Sequence, residues 1–376
     1  MVYYFLEEPF STIAGLALSS AAANMMRFSD SSAVVCPQAD DTWGFSAHRI
    51  LVIHQLHVAN IRGWRFVPLL IRRQLMCSVF HPVLSRLTSG DTVWCFNWPH
   101  VAGALERAIH LKGAKLIYHA HNSLAPWAAG TVFKSFTPDA MIFNSEAMRQ
   151  EALKLMPYLR NTHTIHNGAD EAIFYPLPAG SGQKNTVPII LYVGRLVQVK
   201  GVHVLMEAMR ILQERKIQAI CKVVGSSHAG GSRDKVTTYI RSLRKHCPSN
   251  VQLAGFRAAT DIAQEYRSAD IVCCPSICQE AFGNVNIEAM ASGVPVVATR
   301  VGGIPEIAAR GGVLLVDPDS AVKLADALQK VIQDKALRTK MSAEGLASFQ
   351  QRFTLRGIAR KHRELLESLH DSKIFA

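Results

Sequence analysis

The chain has 376 residues, of which 49% are hydrophobic and 19% are charged, and its formal net charge is +12. These values are ordinary for a globular protein that buries a sizeable core, and the length favours two or three domains. No run of 18 or more apolar residues occurs, which argues against a transmembrane helix. The positive charge favours an anionic partner: nucleic acid, a membrane surface or a phosphorylated ligand.

The first half of the chain alternates short apolar runs with helical patterns. Six of these runs are predicted as buried strands, namely VYYFL, AVVC, RILVI, TVWCF, KLIYHA and AMIFN. The leading segment carries Glu7 and Glu8 and no positive charge, so we predict a strand, a loop and a helix there rather than a signal peptide. The eight cysteines form no C-x-x-C pair and no zinc-ligand pattern, and this scattered use predicts a reducing cytoplasm.

A basic stretch follows the first strands. Residues 42–90 contain no Asp or Glu, and the run 49–86 contains six arginines: Arg49, Arg62, Arg65, Arg72, Arg73 and Arg86. Apolar residues around Trp64 make this stretch amphipathic. We predict that it contacts an anionic lipid surface or acceptor at the inner face of the membrane, and a solvated helix face is the alternative.

The second half repeats the alternation of apolar runs and helical patterns. Its predicted strands are PIILYVG, AICKVVG, VQLAG, DIVCCPS, PVVAT and GVLLV. Such alternation predicts right-handed β-α-β units and parallel sheets covered on both faces. We therefore expect two doubly wound, Rossmann-like α/β domains facing each other, with the ligand in the cleft between them. An eight-stranded barrel is the rival architecture.

A segment rich in proline and glycine, residues 167–188, separates the two halves and is predicted as the linker. The predicted domains are residues 1–175 and residues 186–352. Residues 353–376 are predicted as a last amphipathic helix that returns to the first domain.

Two acids flank a turn in the stretch QEAFGNVNIEAMAS. Glu280 precedes a predicted helix that starts at about Asn284, its expected N-cap, and Glu288 lies about one turn inside it. The N-terminus of a helix is an anion site, and carboxylates accept hydrogen bonds from vicinal hydroxyls. One acid is explained by the helix dipole alone, but two of them suit a nucleotide sugar, which carries diphosphate between two sugars.

This segment resembles the E-x7-E motif of the retaining family-4 glycosyltransferases, which have the GT-B fold. Four further segments are similar to family segments and occur in the same order: FNSEAMR, IHNGAD, GRLVQVKG and VGGIPEI. The resemblance covers the second predicted domain almost completely and the first from about Leu116. It implies a bacterial enzyme of cell-surface glycan synthesis, in which residues 1–175 form the acceptor-side domain and residues 186–352 bind the nucleotide sugar.

The resemblance implies roles for the two acids. Glu280 would hold hydroxyls of the donor sugar, beside the backbone N–H groups of Phe282, Gly283 and Asn284. Glu288 would hold the ribose hydroxyls of the nucleotide.

Further donor-binding residues are implied at other positions. Arg195 and Lys200 would offset the charge of the diphosphate and stabilise it as a leaving group. His121 would reach the donor sugar from the first domain, and Phe256 would contact the base, although a core aromatic is the alternative. Family members have a glycine pair in the first strand-to-helix loop, where this chain has only Gly15 to contact phosphate.

The string Asp317-Pro318-Asp319 has the D-x-D form that binds a divalent metal in other glycosyltransferases. Because it follows a predicted strand and opens a helix, we predict that Asp319 and Ser320 are helix caps and that no metal binds. The resemblance also implies a metal-independent enzyme.

The predicted function is that of a retaining, metal-independent hexosyltransferase that needs no cofactor beyond its donor, which is predicted to be a UDP-sugar. The acceptor is expected to be a glycan or lipid-linked saccharide of polysaccharide or lipopolysaccharide synthesis, at the cytoplasmic face of a membrane. A nucleotide-sugar epimerase of the same fold is one alternative. A basic nucleic-acid-binding protein is another, but no motif of that class occurs.

Overall fold

The computed structural model of the chain describes residues 1–6, 22–23, 25–27, 31–36, 39, 50–52, 69–122, 137–178, 186–227 and 237–371. These residues form two compact units. The first takes the described residues up to His166 together with those from Ala359 on, and the second takes Asn167–Ile358.

The first unit is built on an open sheet of seven parallel strands. In chain order they are β1 (Val2–Phe5), β2 (Ser32–Cys36), β3 (Ile50–Val52), β4 (Thr92–Phe96), β5 (Lys115–Ala120), β6 (Ala140–Phe143) and β7 (Thr162–Thr164). Their order across the sheet is β3-β2-β1-β4-β5-β6-β7. The six predicted strands are confirmed. Strand β7 was missed because its three residues, THT, are polar and only partly buried at the sheet edge.

Four helices of the first unit are α1 (Leu69–Val79), α2 (His81–Leu84), α3 (Pro99–Leu111) and α4 (Glu146–Leu155). Helix α3 begins with proline, whose missing N–H costs nothing in the first turn. Helix α4 begins after Ser145, whose hydroxyl accepts a hydrogen bond from the Met148 N–H at 3.2 Å. The strands supply the largest buried side chains of this unit, including Trp94, Tyr118 and Phe96.

The second unit is built on an open sheet of six parallel strands. They are β8 (Ile189–Val193), β9 (Ile220–Val224), β10 (Val251–Gly255), β11 (Ile271–Cys274), β12 (Val296–Thr299) and β13 (Val313–Val316). All six were predicted. Their order is β10-β9-β8-β11-β12-β13, which reverses direction between β8 and β11. Two open sheets exclude the eight-stranded barrel, and ligands of doubly wound sheets bind at the reversal point, outside the carboxyl ends of the strands.

The helices of the second half are α5 (Val202–Glu214), α6 (Thr238–Lys245), α7 (Ala259–Ser268), α8 (Asn284–Ala291), α9 (Ile304–Ala308), α10 (Ala321–Gln333), α11 (Lys335–Arg352) and α12 (Leu355–Asp371). The last helix belongs to the first unit from Ala359 on. Within the described ranges, no helix combines the length and the apolarity that a bilayer crossing requires.

Candidate functional site

Two loops meet at the carboxyl edge of the second sheet. One follows β8 and ends in a short 3-10 turn over Gln198–Lys200, and the other follows β11, the neighbouring strand. The Ile277 N–H donates to the Val199 carbonyl at 2.9 Å, which joins the two loops. Gly201 permits this approach: its φ is +71°, and a Cβ there would lie 1.9 Å from the Pro275 carbonyl oxygen. The contact therefore requires glycine.

An ion pair links the two loops across 80 positions of sequence. Lys200 Nζ donates to Glu280 Oε1 at 2.5 Å, and the Ser276 hydroxyl donates to the same oxygen at 2.5 Å. The side chains of Lys200 and Glu280 are only 20% and 13% exposed, so water screens this pair weakly. The fold thus joins the residue assigned to diphosphate with the residue assigned to the sugar. Ser276 was not predicted as a site residue, and its only signal in the sequence is its place two residues after β11.

The double glycine of VGGIPEI, Gly302 and Gly303, forms hydrogen bonds with the loop that carries Glu280. The Gly303 N–H donates to the Glu280 carbonyl at 2.9 Å, and the Gly302 N–H donates to Gln279 Oε1 at 2.7 Å. Gly302 has a φ of +52°, and a Cβ there would lie 1.9 Å from the Glu280 carbonyl oxygen. This turn therefore fixes the position of Glu280.

Helix α8 begins directly after this loop. Its N-cap is Gly283, with a φ of +101°, so the prediction of Asn284 as the cap is wrong. Asn284 is the first helical residue, and its side-chain oxygen instead accepts a hydrogen bond from Asn167 Nδ2 at 2.8 Å. The chain leaves the helix at Gly293, whose φ of +71° lies in the left-handed region. The Asn286 N–H donates to the Gly283 carbonyl at 3.0 Å. The N–H groups of Asn284 and Val285 have no acceptor among the described residues, so the N-terminus presents two donors and positive potential beside Glu280.

Glu288 lies in the second turn of α8. The buried Tyr266 hydroxyl donates to Glu288 Oε2 at 2.8 Å. Burial raises the pKa of Glu288 above its ordinary value, and the hydrogen bond from Tyr266 offsets part of this effect. Within the described residues Oε1 has no hydrogen-bond donor, which leaves it for a ligand. Tyr266 is a second residue that the sequence analysis did not select.

Three further predicted residues lie around the same sheet edge. Arg195 follows β8 with an exposed side chain, and its carbonyl accepts a hydrogen bond from the Tyr192 hydroxyl at 2.8 Å. Phe256 follows the edge strand β10, two strands from β8, and is half-buried. Phe282 is buried with its ring edge against Phe353 at 5.8 Å, so its side chain belongs to the core.

His121 lies in the first unit, directly after β5. Its backbone N–H donates to Asn97 Oδ1 at 2.7 Å, and its ring Nδ1 lies 3.1 Å from Asn144 Nδ2. Its ring lies 4.1 Å from the ring of His119, as expected for alternate residues on one strand face. Burial lowers the pKa of His121 to about 3, so the ring is neutral at neutral pH. Its Nε2 atom is buried with no hydrogen-bond partner in the described part of the chain.

Several predicted residues fall outside the description. Gly15 lies outside the described residues, as do three arginines of the basic run, Arg49, Arg62 and Arg65. Arg72 and Arg73 lie in α1, where the side chain of Arg72 is not described, and Arg86 is exposed in the turn after α2.

The D-x-D string forms local contacts. Asp317 pairs with Lys323, which lowers the pKa of Asp317. Ser320 caps α10 by accepting from the Lys323 N–H at 3.4 Å, as predicted, whereas Asp319 is not a cap and has a left-handed φ of +57°. In the described ranges no group of three or more His, Cys, Asp or Glu residues is arranged to bind a metal.

The sequence of residues 177–347 matches the family model described as Glycosyl transferases group 1. A D-inositol 3-phosphate glycosyltransferase of Corynebacterium jeikeium is 39% identical over 188 residues, which are 48% of this chain and 43% of that enzyme. The lipopolysaccharide 1,2-N-acetylglucosaminetransferase of Salmonella typhimurium is 24% identical over 264 residues, which are 69% of this chain and 68% of that enzyme. The chain therefore spans less than half the length of the first relative and about two thirds of the second.

Solved structures share the fold along nearly the whole chain. Anabaena HepE, in complex with UDP and glucose, has a TM-score of 0.76 at 21% identity and covers 98% of this chain and 99% of its own. A glycosyltransferase of Rickettsia africae has a TM-score of 0.73 at 20% identity, with 98% of both chains covered. The chain thus has the GT-B fold of two parallel-sheet α/β domains, and residues 177–347, within its second unit, match the model of the group 1 glycosyl transferases.

Proposed function

We propose that the protein is a retaining, metal-independent glycosyltransferase that moves a hexose from a nucleoside-diphosphate sugar, UDP-linked, to a saccharide acceptor. The observation that carries this proposal is the meeting of Lys200, Glu280 and the N-terminus of α8 at the reversal point of the second sheet, with Glu288 one turn further on. HepE, which shares the fold, was solved with UDP-glucose. The epimerase and nucleic-acid alternatives receive no support from the relatives, which are glycosyltransferases.

Each group supplies one part of the chemistry. Lys200 and Arg195 offset the charge that develops on the leaving diphosphate, and the N–H groups at the start of α8 add donors. Glu280 accepts hydrogen bonds from sugar hydroxyls, and Glu288 accepts them from the ribose. In the retaining reaction that the family resemblance implies, the acceptor attacks from the face that the leaving group vacates, and the leaving phosphate accepts the acceptor's proton. No side chain needs to form a covalent intermediate.

Metal independence gives a direct test of this function. We expect UDP release from UDP-sugar and a saccharide acceptor to continue in excess EDTA, because Lys200 and Arg195 already supply positive charge. Turnover that EDTA abolishes and that magnesium or manganese restores would contradict the metal-free mechanism.

Screening nucleotide sugars by thermal shift identifies the donor first, since a ligand that binds the folded state raises its stability. A panel without any stabilising nucleotide sugar would contradict the transferase itself.

We also propose that the acceptor is a lipid-linked glycan of surface polysaccharide synthesis, reached at an anionic membrane by the 49–86 arginine run. A lipopolysaccharide sugar transferase among the relatives supports this acceptor class. The basic run supports the surface, because it contains no acidic residue.

Changing four arginines of the run to glutamine should abolish sedimentation with anionic vesicles. Each basic residue near such a surface contributes about 1 kcal/mol, so four of them change the partition by roughly 1000-fold. The changed residues are Arg62, Arg65, Arg72 and Arg73. A charge-matched control changes four exposed basic residues of the second unit, Lys216, Arg241, Arg244 and Lys245. If both variants sediment like the parent protein, the run is ordinary solvated surface.

A further inference from the structure

A buried polar cluster surrounds His121 in the first unit. Its members lie on neighbouring strands and are at most 9% exposed: Trp94 on β4, His119 on β5, Asn144 directly after β6, and His121 itself. Parallel strands in the order β4-β5-β6 bring these side chains together at the carboxyl edge of the sheet. The cluster is joined by three hydrogen bonds in series.

The direction of the first hydrogen bond is fixed by chemistry. Trp94 Nε1 lies 3.3 Å from His119 Nδ1, and an indole N–H can only donate. His119 Nδ1 is therefore an acceptor and carries no proton. Burial lowers the pKa of His119 well below its ordinary value, so the ring is neutral and its single proton is on Nε2.

The same reasoning passes through Asn144 to His121. The Nε2–H of His119 must donate, so the atom that faces it at 2.9 Å is the side-chain oxygen of Asn144. The amide nitrogen of Asn144 then faces His121 Nδ1 at 3.1 Å and donates to it. Because Nδ1 accepts, the proton of the neutral His121 ring is on Nε2. This Nε2–H has no acceptor in the part of the chain that the structure describes, and buried polar groups without a partner are rare.

We propose that Trp94, His119 and Asn144 are positioning residues that hold His121 in the tautomer protonated on Nε2, so that His121 donates a hydrogen bond to an oxygen of a saccharide substrate and does not act as a base. The role toward the saccharide rests on the proposed function, whereas the tautomer does not. A donor at this position agrees with a reaction in which the leaving phosphate accepts the proton, since no histidine base is then needed.

A third histidine provides a matched control. His362 on α12 lies edge-on to Trp94 at 5.1 Å and to His119 at 5.7 Å, measured between ring centres. Neither of its ring nitrogens has a hydrogen-bond partner within the described residues, so it packs against the cluster without belonging to the hydrogen-bond series. His362→Phe keeps the packed ring and should leave the His121 tautomer and turnover unchanged.

The tautomer is measured on the full chain without ligand, by nitrogen-15 NMR of histidine-labelled protein, with His121 assigned from the His121→Gln spectrum. We expect a protonated Nε2 and an unprotonated Nδ1 on His121. In Asn144→Asp the carboxylate can only accept, so His121 Nδ1 should become protonated. If that variant does not fold, Trp94→Phe is measured, in which His119 Nδ1 loses its donor and the fixed pattern should become a mixture. An unprotonated His121 Nε2 in the parent protein, or a pattern that neither variant alters, would overturn the proposal.

Kinetics separate a donor from a base. Loss of a neutral hydrogen bond in His121→Ala should lower turnover about 2- to 13-fold, and His121→Gln, which retains an N–H donor, should recover most of that loss. Loss of a general base would instead lower turnover about 100- to 10,000-fold in both variants and would overturn the donor role. If no nucleotide sugar binds but the NMR pattern is found, the proposed function fails while the positioning series stands.

Discussion

Replacing Lys200 with alanine is expected to lower turnover by about 100- to 1000-fold, the usual effect of removing one group that stabilises charge in a transition state. Lys200 is the cation that the fold fixes between the two site loops, with its Nζ 2.5 Å from Glu280 Oε1. Without it, the negative charge that develops on the leaving diphosphate loses a compensating positive charge that the fold holds in place. Steady-state release of UDP measures the effect, and circular dichroism reports the unfolding midpoint of the same variant.

The second unit contains a matched control for this experiment. Lys222 Nζ lies 2.5 Å from Glu265 Oε2, with side-chain exposures of 30% and 11%, close to the 20% and 13% of Lys200 and Glu280. Lys222→Ala therefore removes a similar ion pair and leaves a similarly buried glutamate, at positions not assigned to ligand binding. Each glutamate keeps one other partner: Arg257 Nε lies 3.7 Å from Glu265 Oε1, and the Ser276 hydroxyl donates to Glu280. We expect the two variants to be destabilised alike and only Lys200→Ala to lose turnover. Equal losses of turnover would mean that the Lys200–Glu280 pair is purely structural.

Removing the two glutamates one at a time is expected to give different binding signatures. Glu288→Ala should weaken UDP and UDP-sugar alike, since both carry the ribose, by about 10- to 150-fold for a lost charged hydrogen bond of roughly 1.5–3 kcal/mol. Glu280→Ala should weaken only the sugar-bearing ligand. It should leave UDP as tight as before or tighter, because Lys200 is released from its ion pair. Calorimetry of both variants with UDP and UDP-sugar measures the difference.

Glu288→Gln shows whether lost binding reflects the site or the fold. Because burial raises the pKa of Glu288, the folded protein binds this proton more tightly than the unfolded chain does. The free energy of unfolding therefore falls as the pH rises from the ordinary pKa of this carboxyl group to its raised pKa. Above that range it falls no further. Glutamine keeps an acceptor for Tyr266 without the charge, so this variant should be at least as stable at pH 8 and still bind UDP poorly. For the Glu280→Ala variant, the contradicting result is an equal loss of affinity for UDP and for UDP-sugar. Glu280 would then not contact the sugar.

The strands could be predicted almost completely because a buried parallel strand is a continuous apolar run. Twelve strands were predictable from such runs, for example KLIYHA and DIVCCPS. The polar THT of β7, in contrast, forms a strand only through pairing with β6. Helix termini were less predictable. Asn284 is a common capping residue, but the turn before it places Gly283 at the cap, with a backbone conformation that favours glycine.

The amino-acid sequence by itself determined the two sets of strands and, through the E-x7-E resemblance, a set of candidate ligand-binding residues. Only the tertiary structure decided which of them touch. Lys200 and Glu280 meet because β8 and β11 are neighbours at the reversal point, and Gly302 fits under Glu280 because the next strand, β12, adjoins β11. The series from Trp94 to His121 likewise depends on three adjacent strands. Local periodicity specifies which segments become strands, but the order of the strands is set by long-range packing. Because the site lies at the ends of the strands, that order decides which of its residues are in contact.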